Sequence, residues 1–336
     1  EKWKLRESAE IQLFCEKHAA EAAFHKFVQW QFFKQWSSLR KYANQRGIKI
    51  IGDLPIFVAY DSTEVWANPE LFELDENQQL SAVAGVPPDF FSETGQHWGN
   101  PLYRWNEMRK DGFSWWKNRL RYSLEQFNIV RIDHFRGFEN YWKIPATAAT
   151  AAEGQWQSGP GLAFFEEMKN ELGDLQIIAE DLGLITPDVN VLREKCGFPG
   201  MKVLQFAFYD ENNAYLPQNY ETSNTVVYTG THDNNTTLGW FRELDELERK
   251  RLRVYLDKDV KEDAVCYELL RLAWSSIADI ALAPLQDLLN LGGECRMNLP
   301  GTSGGKNWGW RCRNEQLNKL HQHWIKNLTE TYGRNQ

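Results

Sequence analysis

The chain has 336 residues, 42% hydrophobic and 25% charged, with a formal net charge of −8. That is a globular composition with enough chain for a large core. The acidic balance argues against nucleic acid, whose binding rests on Lys and Arg neutralising phosphates, and no apolar run approaches the roughly 20 residues of a membrane span.

Residues 8–46 carry aromatics at helical spacing. Phe24, Phe27, Val28, Gln31 and Phe32 step by three and four, which predicts an amphipathic helix closed near Gly47. Six apolar runs of strand length follow, at 48–58, 128–135, 176–183, 201–208, 225–233 and 279–289. They do not alternate polar and apolar, so they predict parallel strands covered on both faces. Helical stretches at 161–172, 188–196 and 241–278 separate several of them, which makes the chain α/β.

Polar residues sit late in these runs: Asp53, Asp133, Glu180 with Asp181, His232 with Asp233, and Gln286 with Asp287. Charge at the C-terminal ends of several parallel strands is the pattern of a TIM (β/α)8-type barrel. A doubly wound sheet normally gathers its ligand near one switch point. The expected organisation is one barrel domain over 1–336. The segment 59–110 is a long insertion after one strand, and 296–336 a C-terminal loop and helix packing on the barrel. Only six of the eight strands are visible and the chain opens at Glu1 without an initiator methionine, so the first two barrel units are expected to be missing upstream. The insertion holds Phe90, Phe91, Trp98, Tyr103 and Trp105, as an ordered cover over a site would.

The 15 Trp, 12 Tyr and 19 Phe admit two readings, large core residues or platforms on which sugar rings stack. The five cysteines are scattered without a CxxC pair, which fits a reducing compartment and a cytoplasmic chain rather than a disulfide framework or zinc site. Cys15, His18 and His25 read as helix surface, not as a metal set. The Gly-rich "GTSGGKNWG" at 301–309 does not fit a phosphate loop, and there is neither a GxSxG elbow nor an HExxH helix.

What remains is Arg131, Asp133, Glu180, His232 and Asp233: three carboxylates from three strand ends. Three carboxylates could hold magnesium or calcium. Arg131, however, lies two residues from Asp133 on the same side of a strand, where a guanidinium keeps a carboxylate ionised and competes with a metal. An ionised carboxylate facing a second one of raised pKa is the set used in glycoside chemistry. Asp181 and Asp287 each also read as a helix N-cap after a strand, and Asp53 as a loop brace.

At these residues the sequence resembles the 4-α-glucanotransferases called amylomaltase or disproportionating enzyme, of the α-amylase superfamily. The resemblance is carried by "IIGDLPIFVAYDSTEVWANPELF" (50–72), "VAGVPPDFFSETGQHWGNPLY" (83–103), "VRIDHFRGF" (130–138), "IIAEDLG" (177–183), "GMKVLQFAF" (200–208), "YTGTHDNNT" (228–236) and "RMNLPGTSGGKNWGWR" (296–311). It implies a retaining double displacement with Asp133 as nucleophile positioned by Arg131, Glu180 as general acid/base and Asp233 as transition-state stabiliser. It implies sugar contacts from His232, Trp66, Asp53 and Asn298, with no cofactor and no metal. The implied substrates are maltooligosaccharides and starch- or glycogen-type α-1,4-glucans, with glucose as an acceptor, in the cytoplasm or, in a plant, the plastid stroma. An α-glucan hydrolase, a branching enzyme and an inactive glucan-binding fragment are the alternatives.

Overall fold

The computed structural model describes residues 3–88, 93–302, 304–317 and 322–335. Phe90 and Phe91 of the expected cover lie outside the described residues. The chain forms two compact units, residues 1–198 and 199–336.

The first unit opens with α1 (Ser8–Lys17) and α2 (Ala19–Asn44), so the expected single helix is broken at His18. Gly47 follows in the left-handed region at φ 73°. The stripe of Phe24, Phe27, Val28 and Phe32 is exposed rather than packed on a core. The helix docks through another set of side chains. The Trp36 ring meets Phe127 edge-on at 5.7 Å, and Arg40 donates to the carbonyls of Glu125 and Phe127, at 2.7 and 3.0 Å. Those carbonyls end a later helix and have no partner within it, so Arg40 caps it from outside.

Then come β1 (Ile51–Pro55), α3 (Thr63–Ala67), β2 (Ala82–Val86), β3 (Gln96–Pro101), α4 (Trp105–Lys110), α5 (Ser114–Gln126), β4 (Ile129–Asp133), β5 (Asn140–Pro145), β6 (Gln155–Ser158), α6 (Leu162–Leu172), β7 (Ile177–Ala179) and α7 (Pro187–Cys196). Strands β1, β4 and β7 form a parallel sheet in that order, with Asp53 beside Arg131 and Pro55 beside Asp133. Gly52 of β1 has no room for a side chain: a Cβ there would sit 2.1 Å from the Phe127 ring.

The insertion 59–110 is ordered differently from a simple loop. Its strands β2 and β3 join β5 and β6 in a four-stranded antiparallel sheet of order β3-β2-β5-β6. Beneath lies an aromatic core in which Trp116, Phe138 and Phe164 are fully buried, their ring centroids 4.8–5.5 Å apart. Part of the aromatic excess is thus core, while Trp66 and Trp156 remain exposed.

The second unit contains β8 (Gly200–Val203), β9 (Thr225–Tyr228), α8 (Thr237–Glu243), α9 (Glu246–Leu256), α10 (Val265–Ser275), β10 (Ile280–Leu282), α11 (Leu285–Leu288), α12 (Asn314–Leu317) and α13 (Gln322–Thr331). The helical stretch expected at 241–278 is three helices, because Asp245 forms a capping box with Glu248 and starts α9 anew. The strands pair in parallel in the order β10-β9-β8. Leu204, Phe208, Val227, Leu238 and Leu269 make its core. At the C-terminal end, Trp274 of α10 donates its indole N–H to Thr329 of α13 at 3.2 Å, and Leu328 is buried.

All six apolar runs therefore contain parallel strands, and the chain is α/β. Among the described residues no helix is long and apolar enough to cross a membrane.

Candidate active site

In β4, Val130 and Ile132 point into the core and are fully buried, so Arg131 and Asp133 emerge together on the other face. The Arg131 guanidinium, itself buried, reaches both oxygens of Asp53 at 2.7 and 2.8 Å and lies 3.0 Å from Asp133. Burial opposes the charge on Arg131. The carboxylates of Asp53, Asp133 and Glu180 outweigh that penalty and hold it above its ordinary range. Asp53 is thus an ion-pair partner within the sheet.

Glu180 follows the last residue of β7 and is 9% exposed. Its backbone continues the pairing, with its N–H on the Ile132 carbonyl at 3.0 Å. Its side chain accepts the N–H of His134 at 2.7 Å and that of Leu182 at 2.9 Å. Burial first, and the charge of Asp133 second, push this carboxyl from the usual 4.5 up to about 8, against the pull of Arg131 and the two N–H groups. A carboxylic acid that keeps its proton at neutral pH beside an ion-paired aspartate is a donor and acceptor in one place.

His134 supplies its N–H because it adopts a left-handed conformation, φ 55° and ψ 50°, directly after β4. Such a conformation costs a non-glycine residue about 1–3 kcal/mol and is held by its surroundings. Here the Trp98 ring, from β3, meets the imidazole edge-on at 4.9 Å. Burial, then Arg136, lowers the His134 pKa to about 4, so the ring is neutral at pH 7. Sequence reasoning passed over His134 although it lies within "RIDHF"; a backbone role leaves no signature in the side chain.

Trp66 sits apart from these groups. It is exposed on α3, donates its indole N–H to the Trp3 carbonyl at 2.9 Å, and lines a cavity of about 410 Å³ with Tyr60, Asp61 and Ser62.

In the second unit the segment after β9 carries His232 and Asp233. His232 Nε2 lies 3.3 Å from Asp233 Oδ2. Asn298 donates its amide to Asp233 Oδ1 at 2.6 Å and its backbone N–H to the His232 carbonyl at 3.1 Å. Arg296 donates to the Asp233 carbonyl at 2.6 Å and to the Asn298 carbonyl at 2.7 Å. The exposed Trp308 ring lies 5.2 Å from the His232 ring. The structure thus brings His232, Asp233 and Asn298 together. It adds Arg296 and Trp308, both inside the quoted 296–311 stretch but not singled out there.

The two helix-cap readings do not hold. Asp181 is half-buried against Arg193, 3.2 Å away, and Thr186 stands at the N-cap of α7. Asp287 lies within α11 and accepts the N–H of Thr237, at the start of a different helix, at 2.8 Å. Among the described residues no group of three or more His, Cys, Asp or Glu could hold a metal ion.

An α/β chain with an ion-paired aspartate and a buried, proton-retaining glutamate at adjacent parallel strand ends has the makings of a carboxylate-pair site. A family model described as 4-alpha-glucanotransferase matches residues 1–318. A 4-alpha-glucanotransferase of Synechocystis is 51% identical over 332 residues, 98% of this chain and 65% of the relative. That of Thermus thermophilus is 52% identical over 322 residues, 94% of this chain and 64% of the relative. Among solved structures, the amylomaltase of Streptococcus agalactiae in complex with acarbose superposes with a TM-score of 0.93 at 41% identity, covering 98% of this chain and 66% of its own. The chain belongs to the 4-alpha-glucanotransferase family. It spans about two-thirds of the length of these curated relatives.

Proposed function

We propose that this chain carries the chemistry of a 4-alpha-glucanotransferase, moving α-1,4-glucan segments between maltooligosaccharides by a retaining double displacement. The observation that carries the reading is Glu180, raised to about 8 beside the ion-paired Asp133. In the first step an Asp133 oxygen bonds to the anomeric carbon, the glycosidic C–O bond breaks, and the Glu180 proton passes to the departing 4-oxygen. In the second, the 4-hydroxyl of an acceptor sugar attacks the glycosyl-enzyme, its proton returns to Glu180, and the Asp133 ester is released. Asp233 stabilises the oxocarbenium-like charge that develops in the transition state of each step. His232, Asn298, Asp53 and Trp66 contact sugar, and Arg131 positions Asp133. No cofactor or metal takes part.

The proposed fold is of the TIM (β/α)8-barrel type. The six parallel strands, with Asp133, Glu180 and Asp233 at or beyond the C-terminal ends of β4, β7 and β9, support it. Substrates are starch- or glycogen-type glucans and maltodextrins, with glucose as acceptor. The five free cysteines favour the cytoplasm, or the plastid stroma in a plant. Transfer prevails over hydrolysis when an ordered, aromatic-lined cover keeps water from the glycosyl-enzyme.

Incubation with maltotriose tests this. Glucose plus a ladder of longer maltodextrins is expected; glucose and maltose without a ladder mean a hydrolase, and no turnover means a glucan-binding chain.

A further inference from the structure

Asp287 is 1% exposed, deep in the second unit, and the chemistry above makes no use of it. All the described hydrogen bonds of its side chain converge on one segment. Oδ2 accepts the hydroxyl of Thr229 at 2.6 Å and that of Thr237 at 2.7 Å, while Oδ1 accepts the Thr237 N–H at 2.8 Å. Thr229 and Thr237, both fully buried, are the two ends of the stretch that carries His232 and Asp233. A second buried side chain braces the same stretch: Gln205 donates to the Asn235 carbonyl at 2.9 Å. The far side is held by Asn298 and Arg296.

A buried carboxylate is costly unless its lone pairs are filled. Here three donors fill them, all from two residues eight apart in the chain. Loosening either end would let Asp233 drift, and a misplacement of about 1 Å can cost on the order of 10²-fold in rate.

We propose that Asp287 is a positioning residue: it clamps the two ends of the 229–237 segment and so aims Asp233. This rests on the reading of Asp233 as the stabiliser of the transition state. The variant Asp287→Asn keeps the shape but has one acceptor oxygen in place of two, so in one orientation its NH2 faces the two hydroxyls and in the other it faces the Thr237 N–H. In maltotriose disproportionation, with rates expressed per folded protein from circular dichroism, kcat is expected to fall on the order of tenfold or more with KM within about twofold. Combined with Asn298→Ala, which loosens the same Asp233, the loss in kcat is smaller than the product of the two single losses. A kcat within about twofold of wild type, or losses that multiply fully, overturns the proposal. If Asp287→Asn does not fold, Thr229→Val compared with Thr229→Ser reads the same link. Val lowers kcat and Ser preserves it; equal kcat in the two refutes the clamp. A wild-type protein that makes no maltodextrin ladder would instead strike at the transferase reading itself.

Discussion

Glu180 Oε2 accepts the backbone N–H of His134 at 2.7 Å, and His134 is the residue after Asp133. The two carboxylates are therefore linked through one peptide unit and through the β4–β7 pairing, in which Glu180 N–H meets the Ile132 carbonyl. Their spacing is a property of backbone hydrogen bonds rather than of flexible side chains. A pair of carboxyl groups that must share one reaction needs such fixed geometry.

The first consequence is a pH profile. In the proposed mechanism Glu180 must be protonated for donor cleavage, and burial together with Asp133 keeps the proton on until about pH 8. For maltotriose, kcat/KM should hold up to that region and then fall roughly tenfold per unit as the acid form is lost. A fall already complete by pH 6 would show that Glu180 is not the acid.

The same shift acts on stability. Between 4.5 and about 8 the folded chain holds a proton that the unfolded chain has released. The stability contributed by this group is thus fully present below pH 4.5 and lost as pH rises through about 8. Glu180→Gln does not titrate, so its denaturation midpoint should gain on wild type across that window. Parallel midpoints from pH 4.5 to 8 would contradict the raised value.

Arg131 spans two carboxylates at once, one guanidinium nitrogen on both oxygens of Asp53 and the other 3.0 Å from Asp133. Lysine is a point charge and cannot hold both partners in this geometry. Arg131→Lys should lower kcat on the order of 10²-fold while leaving a cooperative unfolding transition. Unchanged turnover would separate the ion pair from the chemistry.

Trp116 tests the aromatic core. It is fully buried against Phe138 and Phe164. Trp116→Ala should cost about 3–5 kcal/mol, read as a lower urea midpoint at constant slope. A loss below about 1 kcal/mol would mean that the site collapses around the cavity.

Much of this was legible in the residues alone. The apolar runs around Ile129–Asp133, Ile177–Ala179 and Thr225–Tyr228 determined parallel, doubly covered strands, because burial on both faces leaves no polar alternation to write. Their charged ends marked Asp133, Glu180 and Asp233, since unpaired charge is too costly to leave in a buried strand without a purpose. Tertiary structure decided the partners. Asp53 meets Arg131 across 78 residues, Asp287 meets Thr237 across 50, and the insertion's β2 pairs with β5 from beyond the next parallel strand. The exposed stripe of α2 and the left-handed His134 belong with these. Periodicity and motif spacing record what each segment needs locally, burial or solvent. Which distant segment supplies it is fixed only when strand register and packing bring the two together.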